Sequence, residues 1–334
     1  METSVATPRV TGRSLFNSDA TQRILAFSAL IVLFVFFSLA SPNFLQVNNV
    51  LGILLATAVN GILALGVTFV IITGGIDLSI GTVMTFASVM TGVFVTYWGL
   101  PLPIGILAGV FFGGLAGFLN GVAISRMKIP PFIATLGMMY IAKGLSLVIS
   151  NLKPIYFNDT PEFRGIATGS ILNLGSFVED LAIPNAVIIM FAAAIVASII
   201  LGRTVLGRYT FALGSNEEAT RLSGVTVTRW KTAVYTVCGL FAGLAGVVMA
   251  ARLNSAQPAL GQGYELDAIA AVVIGGTSLS GGEGTIMGTI IGAFVMSVLV
   301  NGLRIMSVPQ EWQTVVTGAI VILAVYLDII RRRK

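Results

Sequence analysis

The sequence contains no histidine and a single cysteine, Cys238. A chain with this composition cannot build a zinc site, a Cys-His dyad or a Ser-His triad, and it cannot form a disulfide within itself. Cys238 lies in an apolar, glycine-rich segment, where a thiol is expected to act as a small buried hydrophobe. The absences therefore exclude the commonest catalytic and metal-binding constellations.

Charged residues are scarce as well. They make up 10% of the 334 residues, while 56% are hydrophobic and the mean hydropathy is +0.94. A soluble domain carries roughly 25% charged residues, because its surface faces water. A surface that faces lipid needs no charge, so we expect the bilayer to be the solvent of this chain.

Apolar runs long enough to cross a bilayer recur along the chain. A spanning helix needs about 20 such residues. We predict an all-α, polytopic membrane protein with about ten transmembrane helices, near residues 24–40, 50–73, 78–98, 101–124, 131–150, 186–201, 232–251, 266–279, 285–303 and 313–330. The runs at 186–201 and 266–279 are short, so a tilted, broken or re-entrant course is open for both.

The basic residues predict the orientation. With the N-terminus inside, 14 of them fall in inside segments and 4 in outside loops, namely Lys153, Arg164, Arg252 and Arg304. This asymmetry follows the positive-inside rule and places both termini in the cytoplasm. The net charge of +5 therefore reports topology, and no nucleic-acid partner is expected.

The chain is organised as one membrane domain, 24–330, between a cytoplasmic segment, 1–23, and a basic cytoplasmic tail, 331–334. The domain contains an outside insertion, 151–185, and a basic inside stretch, 202–231. Small residues near Ala40 resemble a signal-peptidase site, but the apolar run before them is longer than most signal peptides carry. We expect an uncleaved anchor; cleavage would leave nine spans.

Two glycine patterns indicate how the helices pack. Segments 74–81 and 275–282 both read GGxxLSxG, and interrupted helices at matching positions mark the pathway in transporters with duplicated halves. Chance similarity in a glycine-rich chain remains the alternative. Gly109, Gly113, Gly117 and Gly121 form a face of small residues suited to close helix contact.

The inside stretch contains a predicted short helix. Ser215 or Asn216 suits its N-cap, Glu217 and Glu218 suit the positive end of its dipole, and Gly224 suits its end. This helix of about two turns is either a simple connection or a knob that docks into a partner. The chain has no Walker A phosphate-binding loop, so any ATPase must reside on another subunit.

At these segments the sequence resembles the permeases of bacterial ABC importers for monosaccharides, over nearly its whole length. The resemblance is carried by TGGIDLS at 73–79, by 214–224, and by the stretch from ARLNSAQP at 251–258 through 284, which includes GYELDAIA at 263–270. It implies a type II importer fold in the bacterial inner membrane. It also implies sugar import from periplasm to cytoplasm, with D-ribose as the favoured substrate. Other pentoses, hexoses and nucleoside-like solutes remain open.

The resemblance further implies a division of labour. A periplasmic sugar-binding protein delivers the solute, two copies of this chain form the channel, and a cytoplasmic ABC ATPase carries ATP and Mg, so this chain binds no cofactor or metal. The residues that would meet the ATPase lie on or beside the short helix, and they are Asn216, Glu217, Glu218, Ala219, Arg221 and Gly224.

Polar residues at or within the spans are the candidates for a translocation pathway or gate. They are Asp77, Ser79, Asn60, Asn120, Asn254, Gln257 and Asp267. A charge deep in the bilayer costs at least about 2.5–3.5 kcal/mol, so its retention indicates a role. For the two aspartates a helix cap is the alternative, and for the amides it is interhelical hydrogen bonding.

Two other classes of protein compete with a permease subunit. An ion-coupled secondary transporter would need buried carboxylates or histidines in mid-span, whereas the acidic residues here lie mostly in loops or at span ends. An integral membrane enzyme would need paired carboxylates or a metal constellation, which the sequence lacks.

Overall fold

The computed structural model describes residues 19–173 and 182–332, and these form an almost entirely helical bundle. Its helices are α1 (Asp19–Ala40), α2 (Val47–Ile72), α3 (Ile80–Gly92, continued by a π-helical turn, Val93–Tyr97), α4 (Leu102–Ser125), α5 (Pro131–Ile149), α6 (Glu162–Thr168), α7 (Asn185–Arg203), α8 (Val205–Ser215), α9 (Glu217–Leu222), α10 (Val227–Leu253), α11 (Tyr264–Ile274), α12 (Ile286–Ile305) and α13 (Gln310–Arg332).

Seven of these helices are long and apolar enough to cross a membrane, namely α2, α3 with its π-helical turn, α4, α5, α7, α10 and α12. The apolar part of α1, Ile24–Ala40, and the 23-residue helix α13 add two more helices of the predicted set. The predicted all-α, multi-pass membrane fold with about ten helices is confirmed.

Of the courses left open for the predicted span at 266–279, the structure shows the broken one. Helix α11 has 11 residues and ends at Ile274, because Gly276 adopts a left-handed φ of 91°. At 1.5 Å per residue it covers about 16 Å, roughly half of the hydrocarbon thickness. The segment is therefore a half-helix followed by an irregular loop, 275–285, that leads into α12.

Helix α2 occupies the centre of the bundle. Every residue from Thr57 to Ile72 is buried, and the helix packs against α7, α10, α11 and α12. A helix that is hydrophobic all round fits only such a position. The more peripheral α5 exposes large apolar side chains such as Phe132 and Tyr140, as a face toward lipid or another membrane chain would.

The tightest helix pair is α4 with α10. A Cβ on Gly113 or Gly117 would overlap the backbone of α10 around Gly239, and one on Gly121 would overlap the backbone at Thr232. The predicted face of small residues is confirmed, with α10 as its partner. Close backbone approach of this kind supplies the van der Waals contact that holds helices together in lipid.

Two short antiparallel pairings bring together segments outside the long helices. β1 (Ile155–Tyr156) pairs with β4 (Ser255–Ala256), and β2 (Leu172–Asn173) pairs with β3 (Ala182–Ile183). The first pairing ties the insertion after α5 to the chain leaving α10. The N-terminal residues 1–18 and the tail residues 333–334 of the predicted organisation lie outside the described residues.

Candidate functional site

A reversal of the chain inside the bundle, the α2–α3 loop (residues 73–79), holds the first group of candidate residues. Helix α2 ends where Gly74 takes a left-handed φ of 73°, and the Gly75 amide donates back to the Val70 carbonyl at 3.1 Å. The 6→1 hydrogen bond of this helix ending satisfies a terminal carbonyl and turns the chain back. The loop then re-enters the packed interior.

Asp77 is the buried centre of the α2–α3 loop, with 2% of its surface exposed. Its Oδ1 accepts hydrogen bonds from the backbone amide of Ser79 at 2.8 Å and from the Ser79 hydroxyl at 2.6 Å. The Asn120 side-chain amide of α4 donates to the same hydroxyl at 2.9 Å. Three predicted pathway residues thus form one connected cluster, which we call the Asp77 cluster.

Helix α10 closes the Asp77 cluster on its other side. The Cys238 thiol lies within hydrogen-bonding reach of the Asp77 carboxylate, and the Tyr235 hydroxyl approaches the Ile76 carbonyl oxygen at 3.5 Å. Within the described residues, Asp77 forms no ion pair. Within these residues the cluster therefore anchors the loop through hydrogen bonds.

The second GGxxLSxG segment, 275–282, shares two local features with the first. Helix α11 ends with Gly276 left-handed and a 6→1 bond from the Thr277 amide to the Val272 carbonyl. The Ser278 hydroxyl then accepts from the Ser280 amide at 3.1 Å, as Asp77 accepts from Ser79. The two helix endings are thus alike but one residue out of register, and the segments then diverge, because Gly281 and Gly282 are left-handed whereas Ile80 and Gly81 begin α3.

The two echo segments lie against each other. The Gly282 amide donates to the Ile72 carbonyl at the end of α2 at 2.8 Å. A Cβ on Gly281 would lie 2.9 Å from the Gly74 amide nitrogen. The end of α2 and the loop after α11 are therefore joined through their backbones at one place.

Gly214, in the last turn of α8, packs directly onto this junction. A Cβ at that position would overlap the Ile72 carbonyl oxygen and would lie 2.5 Å from the Gly282 amide nitrogen. Only glycine allows the approach. A backbone contact thus joins α8 to both echo segments, and through Ile72 to the α2–α3 loop.

Helix α9 follows α8 directly and presents an exposed surface. The Asn216 side chain caps it by accepting from the Ala219 amide at 2.9 Å, and Gly224 follows its end with a φ of 84°. The predicted short capped helix is confirmed. Thr220 alone of its residues is buried, and its hydroxyl donates to the Ala212 carbonyl of α8 at 3.0 Å.

The exposed side of α9 combines charge with an apolar side chain. Glu217 pairs with Lys231 of α10 at 2.6 Å, and Glu218 pairs with Arg221 at 3.1 Å. Leu222 remains 79% exposed. The accessible side of α9 therefore carries two ion pairs and one apolar side chain.

The other predicted pathway residues do not join the Asp77 cluster. Asn60, in the middle of α2, and Asn254, in the turn after α10, each bury a side-chain oxygen that has no hydrogen-bond partner among the described residues. Gln257 donates to the Ser255 hydroxyl at 2.9 Å. The cap interpretation of Asp267 is wrong, because α11 begins at Tyr264 and leaves Asp267 within its first turn.

Two polar features were missed by reasoning from the sequence. Glu265 is buried, and both of its carboxylate oxygens accept from the Gly263 amide at 3.1 Å. Its position within GYELDAIA was the available signal. Thr68 of α2 and Thr289 of α12 share a hydrogen bond between hydroxyls at 2.7 Å, and a contact across 221 residues leaves no local sequence signal.

Comparison with known proteins gives full-length relatives. A family model described as the permease component of branched-chain amino acid transport systems matches residues 49–325. The ribose import permease of Escherichia coli strain K12 is 40% identical over 97% of this chain and 99% of its own length. That of Bacillus subtilis strain 168 is 41% identical over 92% of each chain.

A relative named for another sugar is also similar. The xylose transport system permease of Escherichia coli strain K12 is 34% identical, with coverage of 100% of this chain and 98% of the relative. No solved structure matches the chain.

Proposed function

Because the chain belongs to the family of branched-chain amino acid transport system permease components, we propose that it is the membrane subunit of an ATP-driven ABC importer for D-ribose. The ribose import permeases at 40% and 41% identity support this substrate over nearly the full chain. The xylose permease at 34% identity supports another pentose as the alternative.

The proposed importer needs further subunits. The sequence has no phosphate-binding loop, so ATP and Mg reside on a cytoplasmic ATPase, and a periplasmic binding protein delivers the sugar. Two copies of this chain surround the passage. The chain lies in the bacterial inner membrane with both termini in the cytoplasm, 151–185 in the periplasm and 202–231 facing the ATPase, as the distribution of basic residues supports.

The observation that carries the proposed mechanism is the contact of Gly214 with the end of α2. We assign α9 to the interface with the ATPase, through Asn216, Glu217, Glu218, Ala219, Arg221 and Gly224. Movement of α9 displaces α8, and α8 moves the α2–α3 loop through the Gly214 backbone contact. Close-packed backbones transmit such a displacement because they cannot be compressed.

The Asp77 cluster is the proposed inner gate. Asp77, Ser79 and Asn120 hold the α2–α3 loop in the buried state seen here, and a shift of the loop breaks their hydrogen bonds and opens a polar passage. Asn60, Asn254, Gln257 and Asp267 are proposed to contribute hydrogen-bonding groups along the passage. Weak polar contacts suit a sugar, because tight binding would prevent release.

Uptake by reconstituted vesicles tests the function. The vesicles contain this chain with its ATPase and its binding protein. We expect them to accumulate ribose only when ATP is present on the side of the membrane where the ATPase lies. A proton uncoupler is expected to leave this uptake unchanged. Uptake that needs no ATP and is abolished by the uncoupler would contradict the proposal and would indicate an ion-coupled transporter. Preference for xylose in the same assay would change the assigned substrate from ribose to xylose.

A further inference from the structure

A basic groove lies between the end of α4 and the start of α10, apart from the Asp77 cluster. It has a volume of about 560 Å³ and is open to the surface. Its polar end carries Arg126, Thr228 and Arg229, and its apolar end carries Phe118 and Val237. The arginines lie at the membrane edge on the same side as α9, since only residues 223–226 separate α9 from α10.

The charges in the groove are uncompensated. Within the part of the chain that the structure describes, neither Arg126 nor Arg229 forms an ion pair, whereas Lys231 and Arg221 both do. The Arg229 guanidinium carbon lies 5.7 Å from the ring centre of Trp230. Arginine is suited to phosphate because its planar fork donates two parallel hydrogen bonds.

The apolar end of the groove determines what kind of anion fits. Phe118 lies about two helical turns before Arg126, and Val237 lies about two turns after Arg229, so both point away from the edge and into the hydrophobic span. A free phosphate ion would use only the arginine end. A molecule with a phosphate head and hydrocarbon chains would use both ends.

We propose that this groove binds an anionic phospholipid of the cytoplasmic leaflet, with its phosphate between Arg126 and Arg229 and an acyl chain along Phe118 and Val237. The proposal concerns a site separate from the sugar pathway and does not depend on the identity of the sugar. Basic pockets between transmembrane helices at the cytoplasmic face recognise anionic headgroups by this combination of charge and apolar wall.

Tryptophan quenching provides a direct test in the assembled transporter. With Trp98 and Trp312 replaced by phenylalanine, the remaining Trp230 reports on the groove from beside Arg229. The transporter is reconstituted in phosphatidylcholine with increasing fractions of either brominated phosphatidylglycerol or brominated phosphatidylcholine, and the ratio of quenching by the two lipids gives the preference for the anionic one. The test variant combines Arg126→Gln and Arg229→Gln. The control variant combines Arg203→Gln and Arg208→Gln, and it removes two exposed arginines on the same side of the protein but outside the groove.

We expect the preference for phosphatidylglycerol to fall about fivefold for each groove arginine removed and to persist in the control. An equal loss of the preference for phosphatidylglycerol in both double variants would contradict the assignment of the groove as the binding site. Displacement by an excess of inorganic phosphate would identify a free anion instead of a lipid. No quenching by either lipid in the assembled transporter would show that a protein subunit covers the groove, which also overturns the proposal.

Discussion

Asp77 is a buried carboxylate that needs hydrogen-bond donors around it. A carboxylate buried in lipid is costly unless its oxygens are satisfied, and here Ser79, Asn120 and Cys238 surround it. Hydrogen bonds to a charged acceptor are also stronger than those between neutral groups, at about 1.5–3 kcal/mol. The position of the α2–α3 loop should therefore depend on this one side chain.

The substitution Asp77→Asn tests that dependence. It removes the charge and weakens the bonds that fix Ser79, so we expect ribose uptake to fall by about tenfold, equivalent to about 1.4 kcal/mol, while the amount of protein in the membrane stays the same. Uptake in vesicles with matched protein levels gives the measurement. Asp159→Asn, at an exposed position of the insertion, is the matched control; equal uptake by both variants would leave Asp77 as a local turn residue.

Most of the Asp77 cluster was predicted as separate residues but not as a cluster. Asp77, Ser79 and Asn120 stood out because each is polar in an apolar sequence. Ser79 and Asn120 are 41 residues apart, and no local pattern predicts which polar residues of different helices meet. For the same reason no local pattern distinguishes Asn60, which lies outside the cluster, from Asn120, which belongs to it.

At the scale of elements, the pairing of α4 with α10 rests on glycine. The substitution Gly117→Val places a branched side chain against the Tyr235 carbonyl and the Gly239 backbone. Overpacking of this kind costs about 1–3 kcal/mol, so we expect a lower midpoint of thermal unfolding in detergent. Gly318→Val on α13 meets no neighbouring atom and serves as the control. Similar midpoints for both variants would contradict the close packing of these helices.

Helix α9 yields a prediction about assembly. The substitution Leu222→Glu replaces an exposed apolar side chain with a charge, without removing any hydrogen bond or ion pair seen in the described chain. We expect the ATPase to be lost during co-purification while the permease remains in the membrane. Glu162→Lys, on the exposed start of α6, should have no effect. If the Leu222→Glu variant still co-purifies with the ATPase, the interface with the ATPase does not include the exposed side of α9.

The helices were predictable in number, and a break in the run at 266–279 was one of the predicted possibilities, but the residue at which it occurs was not predictable. An apolar run of about 20 residues specifies a span through its length alone, so α2, α4, α5 and α12 lie near the predicted positions. The run at 266–279 is shorter and stops being helical at Ile274, where its glycines adopt a turn. The cap at Asn216 was predictable because capping uses neighbouring residues.

Over the whole molecule, a continuous backbone path leads from the exposed helix α9 to the buried Asp77 cluster. It passes from α8 at Gly214 to Ile72, and from there along the chain into the α2–α3 loop. The matching turn after α11 meets the same junction through Gly282. One displacement of α9 and α8 is thus positioned to move both echo segments together.

The number of ribose molecules imported per ATP hydrolysed, compared between Gly214→Ala and Gly202→Ala, tests this coupling most directly. Gly202, at the end of α7, has room for a Cβ, whereas at Gly214 a Cβ would overlap the Ile72 carbonyl. With both variants purified as intact complexes, we predict that Gly214→Ala still hydrolyses ATP but imports about tenfold less ribose per ATP, while Gly202→Ala keeps the unmodified ratio. An unchanged ratio in Gly214→Ala would contradict coupling through this contact.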